Sequence, residues 1–188
     1  MVAFKLLSYA GEAGPRSGVL VDDTVFDLQA ALDQFGRAHG APAEVSGASV
    51  LSVLENWDTA RSVLGDLAAE CARGDGAGLR ATGRPLASTR LQAPILYPPA
   101  IYGACANYVD HAREMRGEDP PSKETNRPAF FLKTSAHSVI GPEETIRLRN
   151  LLIDWEAELG VVIGSRADRV SAADAMQYVA GYTIVNDL

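Results

Sequence analysis

The first 28 residues alternate between apolar and polar positions over short distances, and turn residues interrupt the alternation. Three runs rich in strand-forming residues are separated by Gly, Pro and an Asp-Asp pair; they are residues 4–9, 17–21 and 24–28. Short alternating runs bounded by turn residues are typical of strands. We therefore predict a small β-sheet at the start of the chain.

Helical periodicity follows in two segments, residues 29–37 and 48–72. In the second, apolar residues recur three and four positions apart, which predicts one buried helix face with Trp57 in the core. Residues 74–90 are rich in Gly, Ala and Arg and contain Pro85, a composition that indicates a linker. We place a domain boundary near Ser88, between a small N-terminal α/β region of residues 1–87 and a second domain of residues 88–188.

The second domain reads as short strands punctuated by proline, with two short helices. The predicted strands are residues 101–102, 129–133, 145–148, 158–163 and 178–185. The predicted helices are residues 109–116 and 172–178. Ser171 and Asp174 approximate a capping box at the start of the later helix. This mixture of strands and helices predicts an α+β fold.

The composition argues against a nucleic-acid-binding protein and against a membrane protein. Seventeen Lys and Arg residues against 24 Asp and Glu give a formal charge of -7, with no basic run to follow a nucleic-acid backbone. The chain has no apolar stretch of the roughly 20 residues that span a membrane, and no signal-peptide pattern at its start. We expect a soluble, cytoplasmic protein. Its two cysteines, Cys71 and Cys105, are expected to be reduced thiols, with Cys105 a small buried residue.

Acidic and apolar residues alternate in residues 154–159, D-W-E-A-E-L. In a strand, Asp154, Glu156 and Glu158 would share one face. Such a face is explained equally by exposure to water or by a bound cation. Asp187 follows another apolar run, and two neighbouring strands could bring it to Glu156 and Glu158. These oxygen ligands would favour magnesium, manganese or calcium over zinc.

A second polar cluster lies in the helix predicted for residues 109–116. His111 and Glu114 are three positions apart, so they share one helix face. A histidine oriented by a carboxylate can act as a general base on water. A surface His-Glu pair without catalytic function gives the same spacing.

Four motifs, taken in order, resemble the fumarylacetoacetate hydrolase family. They are N-Y-x-D-H-x-x-E at residues 107–114, P-x-F-F-x-K at 128–133, E-x-E at 156–158 and N-D at 186–187. The resemblance runs from about Tyr102 to the end of the chain, with a weaker likeness in residues 1–85. It implies a mixed β-sheet rolled into a barrel with helices outside, assembled as a homodimer. Since family members continue beyond the position of Leu188, we expect the sequence to be part of a longer polypeptide.

The resemblance also implies roles for individual residues. Glu156, Glu158 and Asp187 would bind Mg²⁺, Mn²⁺ or Ca²⁺, and His111 with Glu114 would activate water. Lys133 would bind or polarise a substrate oxygen, and Asp110 matches an accessory position near the metal. Asp154 is a neighbour of the site and not a predicted ligand.

The implied activity is metal-dependent hydrolysis of a carbon-carbon bond in an acylpyruvate or a fumarylacetoacetate-like diketo acid. Isomerisation or decarboxylation of a 2-hydroxydienedioate or an oxaloacetate-type acid is the alternative on the same metal site. A non-catalytic ligand-binding or assembly module is the alternative of another class. The polar segment 115–127 is predicted to be a lid, with Arg116, Lys123 or Arg127 meeting a substrate carboxylate.

Overall fold

The computed structural model describes residues 2–40, 45–74, 77–122, 124–125, 127–149 and 152–188. Its N-terminal part is an antiparallel sheet of four strands in the order β1-β2-β3-β4. The strands are β1 (Lys5–Gly11), β2 (Gly14–Val21), β3 (Thr24–Asp27) and β4 (Gly83–Pro85). The first three confirm the predicted strands.

The fourth strand shows that the predicted linker, residues 74–90, was wrong. The segment contains α4 (Ala77–Arg80), β4 and a 3₁₀ turn (Leu86–Ser88). Gly83 pairs with Phe26 of β3, and a Cβ atom at Gly83 would lie 3.1 Å from Thr24 Cγ2. The glycine that suggested a linker therefore allows close approach of two strands.

Three helices pack beside this sheet: α1 (Leu28–His39), α2 (Val50–Glu55) and α3 (Trp57–Arg73). The single helix predicted for residues 48–72 is two helices, broken at Asn56, where ψ is 34°. The Asn56 side chain donates a hydrogen bond to the Ser52 carbonyl, a local contact that competes with a continuous helix. Trp57 is buried in the core, as predicted.

Asp27 joins the sheet to α1 through a buried network. It is the N-cap of α1 and accepts a hydrogen bond from the Ala30 N–H at 3.0 Å. Its carboxylate also accepts from Tyr9 Oη at 2.6 Å and from Arg16 Nη2 at 2.8 Å. Burial alone raises the pKa of Asp27, but the hydrogen bonds from Arg16, Tyr9 and Ala30 outweigh it and lower the pKa to about 2.

The described residues after Ser88 form two antiparallel ribbons and three short helical elements. The first ribbon pairs β5 (Ile101–Ala104) with β6 (Phe130–Lys133), and the second pairs β7 (Glu156–Ile163) with β8 (Val179–Asp187). The helical elements are α5 (Val109–Arg116), α6 (Ser135–Ser138) and a 3₁₀ turn (Ala175–Tyr178). These four strands and α5 confirm the corresponding predictions.

Two predicted elements differ from those in the structure. Residues 145–148 form no strand, and the exposed side chains of Ile146 and Leu148 have no sheet to pack into. The helix predicted for residues 172–178 is reduced to the 3₁₀ turn, although the Asp174 N–H does donate to Ser171 Oγ as the capping pattern predicted.

The structure has a mixed α/β fold, but the barrel is not confirmed. Among the described residues every strand pairing is antiparallel, and each strand of the two ribbons has one partner, whereas a closed barrel needs two. The chain forms two compact units, residues 1–96 with 140–188, and residues 97–139. The division predicted near Ser88 stays a prediction. No helix within the described ranges is long and apolar enough to cross a membrane.

Candidate metal centre

Three carboxylates converge at one end of the β7–β8 ribbon. Glu156 lies directly opposite Asp187, and Glu158 is two residues further along β7 on the same face. One oxygen from each of the three lies within 4.8 Å of the others. The antiparallel register thus brings together Glu156 and Asp187, which are 31 positions apart in the sequence.

The chemistry of this cluster fits a hard divalent cation. Like charges directly opposite one another destabilise an antiparallel pair, and Glu158 adds a third negative charge on the diagonal. Glu158 and Asp187 are half-buried, and Asp187 Oδ1 is shielded from solvent, which weakens screening by water. Carboxylate oxygens are the ligands that magnesium, manganese and calcium prefer. The metal role of the three residues remains a prediction.

Two side chains bond to the backbone where β7 begins. Asp154 Oδ1 accepts a hydrogen bond from the Trp155 N–H at 2.8 Å, and Asn186 Oδ1 accepts one from the Glu156 N–H at 3.0 Å. Asp154 is a neighbour of the cluster and not one of its three members. The contact of Asn186 was missed: the N-D motif indicated its position but not its role.

The opposite end of the ribbon is fixed to the N-terminal helices. Gly164, directly after β7, lies against Trp57, and a Cβ atom there would be 2.4 Å from Trp57 Cδ1. Ser165 Oγ donates to Asp58 Oδ1 at 2.5 Å, and Ala180 of β8 packs against the core. The ribbon is therefore held at one end and carries its carboxylates at the other.

The predicted dyad lies on α5, within the unit of residues 97–139. His111 and Glu114 occupy positions three apart on this helix, which ends at Gly117 in a left-handed conformation. Ala106, just before the motif, has a φ of 44°, a strained value for a residue with a side chain. Asp110, the proposed accessory ligand, accepts a hydrogen bond from Arg113 Nη1 at 3.3 Å.

Lys133 is the last residue of β6 and lies opposite Ile101 of β5. On the same face, Phe131 lies opposite Gly103 and covers it, because a Cβ atom at Gly103 would be 2.2 Å from Phe131 Cζ. The absence of a side chain at Gly103 thus allows the Phe131 ring to lie over the backbone.

Of the candidate lid residues, Arg116 ends α5, Arg127 is exposed, and Lys123 lies outside the described residues.

The two cysteines differ in environment. Cys71 is buried, and burial raises the pKa of its thiol to about 11, which makes it unreactive. Cys105 is exposed, so the expectation of a buried residue was wrong. It directly follows β5, where its N–H donates to the Ala129 carbonyl and its side chain is left outside any core.

Comparison with known proteins identifies the family. The sequence model described as "Fumarylacetoacetate (FAA) hydrolase C-terminal" matches residues 100–188. The human mitochondrial oxaloacetate tautomerase FAHD2B is 37% identical over 106 residues, 55% of this chain and 32% of that protein. Residues 100–188 therefore belong to the fumarylacetoacetate hydrolase family. A further member of this family, the fumarylacetoacetate hydrolase domain-containing protein 2 homolog of Dictyostelium discoideum, is 29% identical over 98% of the chain and 54% of its own length.

Two solved structures of hydrolases share the fold. The hydrolase of Exiguobacterium antarcticum matches 98% of this chain and 56% of its own, with a TM-score of 0.62 and 23% identity. The maleylpyruvate hydrolase of Sphingobium sp. SYK-6, whose structure contains manganese(II) and pyruvate, matches 96% of this chain and 58% of its own, with a TM-score of 0.59 and 22% identity. The chain spans between about a third and somewhat more than half of these relatives.

Proposed function

We propose that this chain provides the metal centre of an enzyme that interconverts the keto and enol forms of an oxaloacetate-type oxo-acid. The observation that carries the proposal is the convergence of Glu156, Glu158 and Asp187 within 4.8 Å. The 37% identity to a human oxaloacetate tautomerase supports the choice of reaction. The expected hydrolase is retained as the second candidate.

The three carboxylates would hold Mg²⁺, Mn²⁺ or Ca²⁺. A bound divalent cation supplies Lewis-acid chemistry, drawing electron density from a carbonyl oxygen. Three oxygen donors occupy only part of the six or more positions that such ions fill, which leaves room for other oxygen ligands. An oxo-acid with neighbouring carbonyl and carboxylate oxygens suits such a site.

The chain also supplies candidates for the proton transfer that tautomerisation requires. His111 would take a proton from the carbon beside the carbonyl group, since an imidazole titrates near neutral pH. Glu114, three residues further along the same face of α5, would orient the imidazole. Lys133 would bind a substrate oxygen through its ammonium group.

Hydrolysis of a carbon-carbon bond in an acylpyruvate or fumarylacetoacetate-like acid is the second candidate. The observation that favours it is the placement of His111 and Glu114 on one helix face, because a water nucleophile needs a base. Decarboxylation, which needs no such base, follows third. A homodimer remains a prediction.

The proposal is tested by the enol absorbance of oxaloacetate, followed with the chain, with and without Mn²⁺ or Mg²⁺. We expect accelerated keto–enol exchange that is abolished by a chelator. Release of pyruvate from acylpyruvates without any effect on oxaloacetate would favour the hydrolase. Metal binding without turnover of any tested oxo-acid would favour the ligand-binding module and contradict both reactions.

Replacing His111 by Ala is expected to lower turnover about 100-fold or more while leaving metal affinity unchanged, because the imidazole moves a proton and holds no metal. Turnover with oxaloacetate and calorimetric titration with Mn²⁺ measure the two quantities. His137→Ala is the matched control, since this histidine lies on α6 and has no assigned chemistry. Equal loss of activity in both variants would remove His111 from the mechanism.

A further inference from the structure

The end of the β7–β8 ribbon that carries the carboxylates is intrinsically weak. A two-stranded ribbon is marginal by itself, and its last pair, Glu156 and Asp187, consists of two like charges. Residues 152–155 before β7 are outside the strand. Repulsion among the carboxylates therefore acts where the backbone pairing ends.

Asn186 closes this end from the opposite strand. It lies opposite Ala157, and its side-chain oxygen accepts the Glu156 N–H at 3.0 Å. The preceding N–H, on Trp155, is accepted by Asp154 one residue away, a contact within one strand. Of these two contacts, only that of Asn186 joins β7 to β8.

The chemical identity of Asn186 suits this position. Its amide oxygen accepts a hydrogen bond as a carboxylate would, but it brings no fourth negative charge beside Glu156, Glu158 and Asp187. An aliphatic residue would add no charge either, but it would leave the Glu156 N–H without this acceptor. An asparagine is thus suited to hold an acidic cluster together before a cation arrives.

We propose that Asn186 is a positioning residue that holds Glu156 in place for metal binding. This inference rests on the proposed metal centre. Asn186 binds no metal itself; it reduces the free-energy cost of gathering three carboxylates in the metal-free protein. Residues that orient metal ligands through hydrogen bonds commonly change metal affinity about 10- to 100-fold when replaced.

The first test is calorimetric titration of the full chain with Mn²⁺. Asn186→Ala is expected to weaken binding about tenfold, as for the loss of an orienting hydrogen bond. The control is Asp154→Asn, at the same end of the ribbon, which keeps the local acceptor; we expect a change of about twofold or less because the exposed charge is screened. Absence of binding by the unaltered chain would overturn the metal centre itself.

The second test is amide hydrogen exchange in the metal-free protein. Asn186→Ala should speed exchange of the Glu156 amide about tenfold, with amides in β1 and β2 unchanged, because the effect is local. Asn186→Asp keeps the acceptor oxygen but adds a fourth negative charge, so exchange at Glu156 should be slower than in the alanine variant and faster than in the unaltered chain. If the alanine variant does not fold, Asn186→Leu removes the acceptor while preserving the volume. A folded variant that lacks the acceptor but keeps normal Mn²⁺ affinity and normal Glu156 exchange would overturn the role of Asn186.

Discussion

Replacing Glu158 by Gln is expected to abolish the thermal stabilisation that Mn²⁺ gives the chain. Glu158 lies two residues from Glu156 on β7 and diagonally opposite Asp187, and its loss leaves two carboxylates for a cation. A ligand at 100 times its dissociation constant stabilises the folded state by about 2.7 kcal/mol. The unaltered chain should show this increase in Tm in a thermal unfolding scan, and the variant should not.

The Glu158→Gln substitution is not expected to destabilise the metal-free protein. Removing one of three neighbouring negative charges relieves repulsion, so the metal-free Tm should be unchanged or higher. Asp154→Asn is the matched control, because it removes a carboxylate beside the cluster that is not a member of it. If Glu158→Gln keeps the full Mn²⁺-dependent increase, the three carboxylates do not form the metal site.

Replacing Asp27 by Ala is expected to lower the free energy of unfolding by about 3 kcal/mol. The change leaves Arg16 and Tyr9 without their shared carboxylate and removes the N-cap of α1. Losing the carboxylate leaves the buried Tyr9 hydroxyl without its acceptor, which costs about 1–3 kcal/mol, and loss of the cap costs about 1 kcal/mol. The half-exposed Arg16 adds less, because water can solvate its guanidinium group. Urea unfolding measures the difference. Asp33→Ala is the control, since Asp33 is an exposed residue of α1.

Asp27 also sets an expected pH dependence. Its pKa is about 2 in the folded chain, below the usual 3.8, so its stabilising contribution is present above about pH 4 and disappears as the pH falls through 2. Asp27→Asn should remove about 1–2 kcal/mol of this acid dependence. An acid unfolding curve of the same shape for both proteins would show that the network does not control the titration.

The sequence allowed prediction of elements whose pattern is local. Alternation identified β1 to β3 and β7, and helical spacing identified α1 and α5. Two features were not predicted: the helix break at Asn56 and the pairing of β4 with β3. They depend on a side-chain hydrogen bond and on a distant strand, which the periodicity of apolar residues does not indicate.

The sequence likewise predicted the residues of the candidate site but not their geometry. Residue type and motif order indicated Glu156, Glu158 and Asp187, but their convergence depends on the register of two strands whose paired ends are 31 residues apart. The hydrogen bond from the Glu156 N–H to Asn186 follows from that register as well, so the sequence could not reveal it.

The contact between Gly164 and Trp57 has a consequence for the fluorescence of the chain. The chain has two tryptophans, and they mark opposite ends of the β7–β8 ribbon: Trp57 is 7% exposed beside Gly164, whereas Trp155 is 70% exposed beside Glu156. An aqueous quencher such as iodide will therefore reach Trp155 long before Trp57. With Trp155 replaced by Phe, the remaining fluorescence reports release of the ribbon from α3 separately from events at the carboxylates.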